Sequence, residues 1–464
     1  MHTSASLRVT PHSSLPLRRD TRGAQLVEYL ILVGMIAVLA LAGFHAFGRS
    51  ASSKAEAQAA CVDSLDCSGG ASDYPLTEAE PIAASASPLL DALHDGMSWA
   101  GSLGEEEMLL HKATLVPMAM AAQQEPELLE PKGGLLDPSK VGVVLNNQPE
   151  LMPTGQQLED LGVTAARISI PRKHFDGSPA NVANWQRVLA DYREHHIEIT
   201  INIQQEAADG FPPGPSNWEW HKPEEPAVVE ARLAELRTWK ETKYLPKVQE
   251  IMTVMGPYAQ AYEVYNEPDQ LINSDKYSPA LPPAFYGELL RDTYQTIKNG
   301  PDNLDGQRPR VITAGLDSGQ TGYLTEAVKG SDGILYADAI GLHPYAKDPL
   351  VKPPAEGSLR RILDEYAAFP VKTPSGETTT LPVYVTEASQ PSTEPTDVKA
   401  YINNAAVVAG ETPGIAKTYF FWNKTSDDHA GMVEYVDGKP VATPAYEQLA
   451  RRLGKPCDTP CVIH

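Results

Sequence analysis

Glu267 and Glu387 are the residues of this chain best placed to exchange protons or to attack a carbon. Glu267 lies in Ala261-Tyr-Glu-Val-Tyr-Asn-Glu-Pro-Asp-Gln270, which reads as a buried strand cut off by Pro268. Proline brings no N–H to a sheet ladder, so the strand is expected to stop at about Glu267 with Asn266 and Glu267 at its tip. A carboxylate there, beside an amide able to hydrogen-bond a substrate hydroxyl, is a candidate catalytic acid. A strand-to-loop turn with a capping asparagine accounts for the same stretch equally well. The elements around it have to decide.

From Val141 onward, short apolar runs alternate with longer amphipathic ones. Strands are expected at Val141–Leu145, Ala165–Ile170, Glu198–Ile203, Ala261–Tyr265, Arg310–Ala314, Ala339–Leu342, Val383–Thr386 and Lys417–Phe421. Helices are expected between them, with one long helix over Val228–Val254 and a last one at Thr443–Leu453. This alternation implies parallel strands joined by helical crossovers. Its count and length suit a (β/α)8 TIM barrel rather than an open doubly wound sheet. No glycine-rich phosphate loop follows the first strand, which lowers the nucleotide-binding alternative.

A barrel of this kind assembles its site from the C-terminal ends of its strands. Those ends carry Arg167 on the second strand, Asn266 and Glu267 on the fourth, and His343 and Tyr345 after the sixth. Glu387 ends the seventh strand and Trp422 the eighth. Two glutamates remote in sequence thus face one barrel mouth, which favours chemistry over the plain turn. Asp317 and His429 lie on tip loops and are read as solvated, and His195-His196 falls at the opposite face and is discounted as a metal site. The segment Glu206–Glu225, rich in proline and aromatics (Phe211, Trp218, Trp220), is either a subsite wall or a packed loop.

A net charge of -22 argues against nucleic acid or an anionic membrane surface as partner. The four cysteines fall in two close pairs, Cys61 with Cys67 and Cys457 with Cys461, without the companions a zinc site needs. Two local disulfides in an oxidising compartment is one reading, and free thiols the other. The first 23 residues are basic, and 24–47 are almost wholly apolar. As a helix this segment spans about 36 Å, enough for a hydrocarbon core of about 30 Å. Arginines before it and none within predict a cytoplasmic N-terminus, with everything after Phe47 outside. Glu28 stands out, because a carboxylate in an apolar helix is costly. A helical continuation to about Ala60 and a flexible Ala/Ser/Glu-rich spacer complete this part.

The run Arg22-Gly23-Ala24-Gln25-Leu26-Val27-Glu28-Tyr29 resembles the processing site of the small Flp-type (type IVb) pilins. That resemblance implies a prepilin peptidase cut between Gly23 and Ala24, with Glu28, followed by Tyr29, pairing with the amino terminus of a neighbouring subunit. It would make pilus assembly machinery a partner. The chain then divides into a leader (1–23), a pilin-like hydrophobic helix (24–60), a spacer (61–135) and a catalytic barrel (136–456).

A second resemblance covers roughly 140–453. Tyr265-Asn266-Glu267-Pro268, Gly341-Leu342-His343-Pro344-Tyr345, Tyr384-Val385-Thr386-Glu387-Ala388 and Phe420-Phe421-Trp422-Asn423 are similar to motifs of the clan A retaining glycoside hydrolases. Within that 4/7 superfamily the likeness is closest to families 5 and 39. It implies a carbohydrate substrate, Glu267 as acid/base and Glu387 as nucleophile. It further implies that Asn266 binds the sugar 2-hydroxyl, that Arg167 and Tyr345 contact the nucleophile, that His343 lines the subsite and that Trp422 floors it. No cofactor or metal is called for. The third strand ends Asn202-Ile203-Gln204-Gln205, without the histidine often met near there in family 5. The functional expectation is an extracytoplasmic, membrane-anchored or pilus-associated retaining glycosidase. The alternative is a pilin-like adhesin that binds carbohydrate without turnover.

Overall fold

All eight expected strands form, and each is hydrogen-bonded in parallel to its neighbours. The computed structural model describes residues 126–463, apart from 146–147, 171–173, 213–225, 270–279, 318–320, 346, 356, 390–393, 424–430, 437–438 and 458–460. Two units divide the chain, Met1–Gln124 and Glu125–His464. Every described residue belongs to the second. The leader, the pilin-like helix, Gly23, Ala24, Glu28, Tyr29, Cys61 and Cys67 therefore lie outside the described residues. Among the described residues no helix is long and apolar enough to cross a membrane.

The strands are β1 (Val141–Leu145), β2 (Ala165–Ser169), β3 (Glu198–Ile203), β4 (Ala261–Val264), β5 (Arg310–Thr313), β6 (Ile340–Leu342), β7 (Val383–Ala388) and β8 (Ile415–Phe421). Their spatial order is β5-β4-β3-β2-β1-β8-β7-β6. Parallel bridges Ile312–Ala339 and Leu316–Leu342 join β5 to β6 and bring the two ends of the sheet together. The result is a (β/α)8 barrel.

Alternation along the strands sorts side chains between two regions. Val144, Ala165, Ala261, Ile312, Ala339, Tyr384, Tyr419 and Phe421 form an apolar cluster of their own inside the barrel. The larger core fills the space between strands and helices. Two residues further along β2, β4 and β7, Ala165 gives way to Arg167, Ala261 to Glu263 and Tyr384 to Thr386, all buried. The barrel interior is thus apolar below and charged towards its C-terminal mouth.

The helical shell comprises α1 (Gly155–Leu161), α2 (Pro179–Glu194), α3 (Pro226–Trp239), α4 (Leu245–Met255), α5 (Pro283–Lys298), α6 (Gly322–Ala327), α7 (Leu359–Ala367), α8 (Pro395–Glu411) and α9 (Pro444–Arg452). The single long helix expected over Val228–Val254 is α3 and α4 joined by a π-helical turn at Lys240–Tyr244. Pro246 explains the turn: it lacks an N–H, and its ring crowds the carbonyl four residues back. The wider ladder, in which Leu245 N–H reaches the Lys240 carbonyl, accommodates that. Two short antiparallel hairpins, Pro370–Lys372 with Thr378–Thr380 and Val433–Val436 with Lys439–Ala442, were not foreseen.

The spacer boundary also moves. Residues 126–135 belong with the folded unit, where an amide clamp on α8 holds them. Asn404 Nδ2–H donates to the Glu127 carbonyl at 2.8 Å, and Leu129 N–H donates to Asn404 Oδ1 at 2.7 Å. Asn403 Nδ2–H donates to the Leu129 carbonyl at 2.9 Å, while its Oδ1 accepts from Gln448 and Arg452 of α9. Near the C-terminus Cys457 and Cys461 are joined as a disulfide, the second of the two expected local pairs.

Candidate active site

β4 presents Glu267 by leaving the sheet early. The strand ends at Val264 rather than near Glu267, because Tyr265 turns into the left-handed region at φ 74°. Asn202 of β3 ties this turn down, its Nδ2–H donating to the Tyr265 carbonyl at 2.8 Å. Glu267 is itself left-handed at φ 44°, and its N–H donates to the Gly315 carbonyl beyond β5 at 3.2 Å. Each such non-glycine residue costs about 1–2 kcal/mol, and strain of this kind collects at functional sites. Phe211 packs against Tyr265 and Trp239, with ring centroids 6.5 and 4.9 Å away. The described start of the loop after β3 is thus a packed support. Trp218, Trp220 and His221 lie outside the described residues.

β7 presents Glu387 by a bulge. Thr418 of β8 pairs with Val385, yet Phe420 pairs with Ala388, so β7 carries one extra residue between them. A bulge lets neighbouring residues escape strict alternation. Thr386 and Glu387 therefore both reach the interior, Thr386 donating to Glu263 Oε1 at 2.9 Å.

The guanidinium of Arg167 connects these two tips. Its Nε–H donates to Glu263 Oε2 at 2.5 Å, Nη1 to Glu387 Oε1 at 2.6 Å, and Nη2 to Asn266 Oδ1 at 3.3 Å. Burial alone would lower the Arg167 pKa, but Glu263 and Glu387 outweigh it and raise it. The second oxygen of Glu387 accepts the Tyr345 hydroxyl. Burial, and then the charges of Glu387 and Glu267, push that phenol well above its ordinary value, so it remains a donor.

His343 occupies the space between the carboxylates. Its Nδ1 lies 2.7 Å from Glu267 Oε1, and its Nε2 lies 3.8 Å from Glu263 Oε1 and 3.9 Å from Glu387 Oε1. Gly315 makes room for the ring: a Cβ there would stand 2.0 Å from His343 Nε2. Burial pulls the imidazole pKa down, but the charge of Glu387 and the hydrogen bond and charge of Glu267 prevail and push it up to about 9. With Glu267 ionised, His343 is an imidazolium at neutral pH and its Nδ1–H donates to that carboxylate.

Exposure separates the three acids. Glu267 and Glu387 are each 8% exposed, whereas Glu263 is 0% exposed. Only the first two are open to the barrel mouth. Among the described residues Glu267, His343 and Glu387 form the one grouping with the chemistry to hold a divalent cation, offering ligand atoms within 4.8 Å of one another. Arg167 on Glu387 and the proton of His343 oppose a cation there, since both already place positive charge on the same oxygens.

Arg167, Asn266, Glu267, His343, Tyr345 and Glu387 are thus brought together as the strand tips suggested. Trp422 is not presented as expected. It is 1% exposed and packs edge-to-face on Tyr446 of α9 at 5.9 Å, so its ring belongs to the helical shell rather than to an open subsite floor. Asp317 departs from the solvated reading. Its N–H donates to Asp269 Oδ1 at 3.0 Å, and burial, then Glu267 and Asp269, push its carboxyl up to about 6. His429 lies outside the described residues. Glu263, Thr386 and Gly315 had no role assigned from sequence. Glu263 carried a signal: an acid at the inward position of a fully buried strand needs a partner, and Arg167 was the inward cation already in view.

No protein-family model matches the chain, and no curated protein matches it. Among solved structures it is similar to a broad-specificity endoglucanase of glycoside hydrolase family 5 from Clostridium longisporum, at 12% identity and TM-score 0.45, covering 68% of this chain and 96% of that one. It is similar also to a family 5 enzyme from Prevotella bryantii, at 12% identity and TM-score 0.44, covering 71% of this chain and all of that one. A β-glucosidase from Exiguobacterium marinum resembles it at 11% identity and TM-score 0.42, over 68% of this chain and 98% of that one. The fold assignment rests on the strand order and hydrogen bonding above.

Because the folded-state pKa of His343 stands at about 9, above its ordinary 6.5, its charge contributes stability that is full below 6.5 and is lost as pH rises through 9. Urea unfolding of wild type and His343→Gln across this range should show their stability gap narrowing by about 3 kcal/mol. Parallel curves would mean that the imidazole is neutral in the folded chain.

Proposed function

We propose that this chain is a retaining glycoside hydrolase in which Glu267 is the acid/base and Glu387 the nucleophile. The observation that carries the reading is the carboxylate pair: an oxygen of each lies within 4.8 Å of the other, and each has a different cation beside it. Double displacement uses carboxyls about 5–5.5 Å apart, whereas inversion needs about 6.5–9.5 Å to admit a water.

The electrostatics suit the same mechanism. Two buried cations, Arg167 and His343, face three carboxyls, Glu263, Glu267 and Glu387. General acid catalysis requires a proton on Glu267 when the leaving oxygen departs. Glu387, held by Arg167 and Tyr345, attacks the anomeric carbon and forms a glycosyl ester. Glu267 gives its proton to the leaving oxygen, keeping its Oε1 on His343, and later takes a proton from the incoming water. Asn266, its carbonyl oxygen fixed by Arg167, would turn its amide N–H towards the sugar 2-hydroxyl. Carbohydrate is the partner, and neither cofactor nor metal enters a step.

The N-terminus belongs to the same proposal. The basic residues up to Arg22, the apolar run 24–47 and the Gly23–Ala24 junction with Glu28 and Tyr29 support export, a membrane or pilus tether and an extracytoplasmic barrel. Amino-terminal sequencing of the mature chain should give Ala24, and a chain starting at Met1 would contradict pilin-type processing.

The full-length chain should hydrolyse a β-linked polysaccharide or aryl glycoside from a broad panel. Glu267→Gln and Glu387→Gln should each lower kcat by about 10³-fold or more. Azide should rescue Glu387→Gly and yield the inverted glycosyl azide. Saturable glycan binding with no turnover by the wild type, unaffected by either substitution, would replace the enzyme with the adhesin.

A further inference from the structure

We propose that Glu263 is a positioning residue that keeps Arg167 electrically compensated while Glu387 gives up its charge to the substrate. The inference rests on the glycosidase reading and extends it to a residue that never touches the sugar. Glu263 is 0% exposed and lies below the two acids open to the mouth. Its carboxylate accepts hydrogen bonds from three separate parts of the barrel. Arg167 of β2 donates at 2.5 Å, Gly315 N–H beyond β5 at 2.9 Å and Thr386 of β7 at 2.9 Å. All three partners are donors, and one of them is the Arg167 cation.

The charge balance of the glycosylation step shows what this anion does. Before attack, Arg167 faces two carboxylates, Glu263 and Glu387, one on Nε and one on Nη1. In the step, an oxygen of Glu387 forms a bond to the anomeric carbon. The bond from that carbon to the leaving oxygen breaks, and its electron pair goes to that oxygen, which takes the proton of Glu267. Glu387 has become a neutral ester and Glu267 an anion, so one negative charge has moved from beside Arg167 to beside His343. His343, 2.7 Å from Glu267, is the cation placed to receive it. Arg167 would be left buried and uncompensated but for Glu263. A buried charge without its partner is costly, so Glu263 lowers the energy of the intermediate by remaining charged. The same contact orients the fork: with Nε fixed on Glu263, Nη1 points at Glu387 and Nη2 at Asn266.

Glu387→Gln mimics the neutral ester at that position and allows a test that does not need turnover. In the full-length chain, melting temperatures of wild type, Glu263→Gln, Glu387→Gln and the double variant form a cycle. Each single variant leaves Arg167 one carboxylate, and the double leaves none. The double should therefore melt at least about 5 °C below the sum of the single effects. Adding Arg167→Met should recover part of that loss, because it removes the cation that needs a partner. Additive losses would overturn the proposal. If Glu263→Gln alone does not fold, Glu263→Gln with Arg167→Met should restore a cooperative transition, and a chain still unfolded would overturn it. With a fluorinated glycoside that traps the intermediate, Glu263→Gln should shorten its lifetime at least about tenfold, and an unchanged lifetime overturns the catalytic role. Non-additive melting in a chain that hydrolyses nothing would sink the glycosidase reading. Additive melting in an active chain would sink this proposal alone.

Discussion

The site depends on a guanidinium buried between two carboxylates. Arg167 is fully enclosed by the barrel, and an isolated charge in that position would be intolerable. Glu263 and Glu387 make it tolerable, and in return it fixes where both of them point. It also holds the Asn266 carbonyl oxygen. Tyr345 and His343 then complete the coordination of Glu387 and Glu267. The charged layer lies above an apolar interior that runs from Val144 round to Phe421.

Local departures from regular geometry aim the two acids. Tyr265 and Glu267 adopt left-handed backbone, and β7 carries a bulge at Thr386 and Glu387. Each costs stability and is held by neighbours: Asn202 and the Gly315 carbonyl at the first, Arg167 and Tyr345 at the second. Gly315 is the meeting point. Its N–H serves Glu263, its carbonyl serves Glu267, and its missing side chain admits the imidazole of His343.

The barrel was legible from the sequence because its signal is periodic and local. Eight buried runs separated by helical patterns leave few other architectures. Asn266, Glu267, His343, Tyr345 and Glu387 were legible for the same reason, since a strand tip can be read from where an apolar run stops. Arg167 instead sits mid-strand on β2 and points inward. What escaped was set by three-dimensional context. The end of β4 follows the left-handed turn at Tyr265, which no composition marks, rather than Pro268. Trp422 follows Phe421 on its strand and so turns outward to Tyr446, a consequence of alternation that its place at the tip concealed. Glu263 was hidden in the middle of a strand whose tip drew the attention. Residues 126–135 looked like spacer because their anchors, Asn403 and Asn404, lie far along the chain.

Stereochemistry is the direct reporter of the central claim that Glu267 and Glu387 act by double displacement. Proton NMR of the first product released from a β-linked substrate, recorded before mutarotation, reads the anomeric configuration. On the proposed double displacement the β anomer should appear first. An α anomer appearing first would mean a single displacement by water and would remove Glu387 from its role as nucleophile.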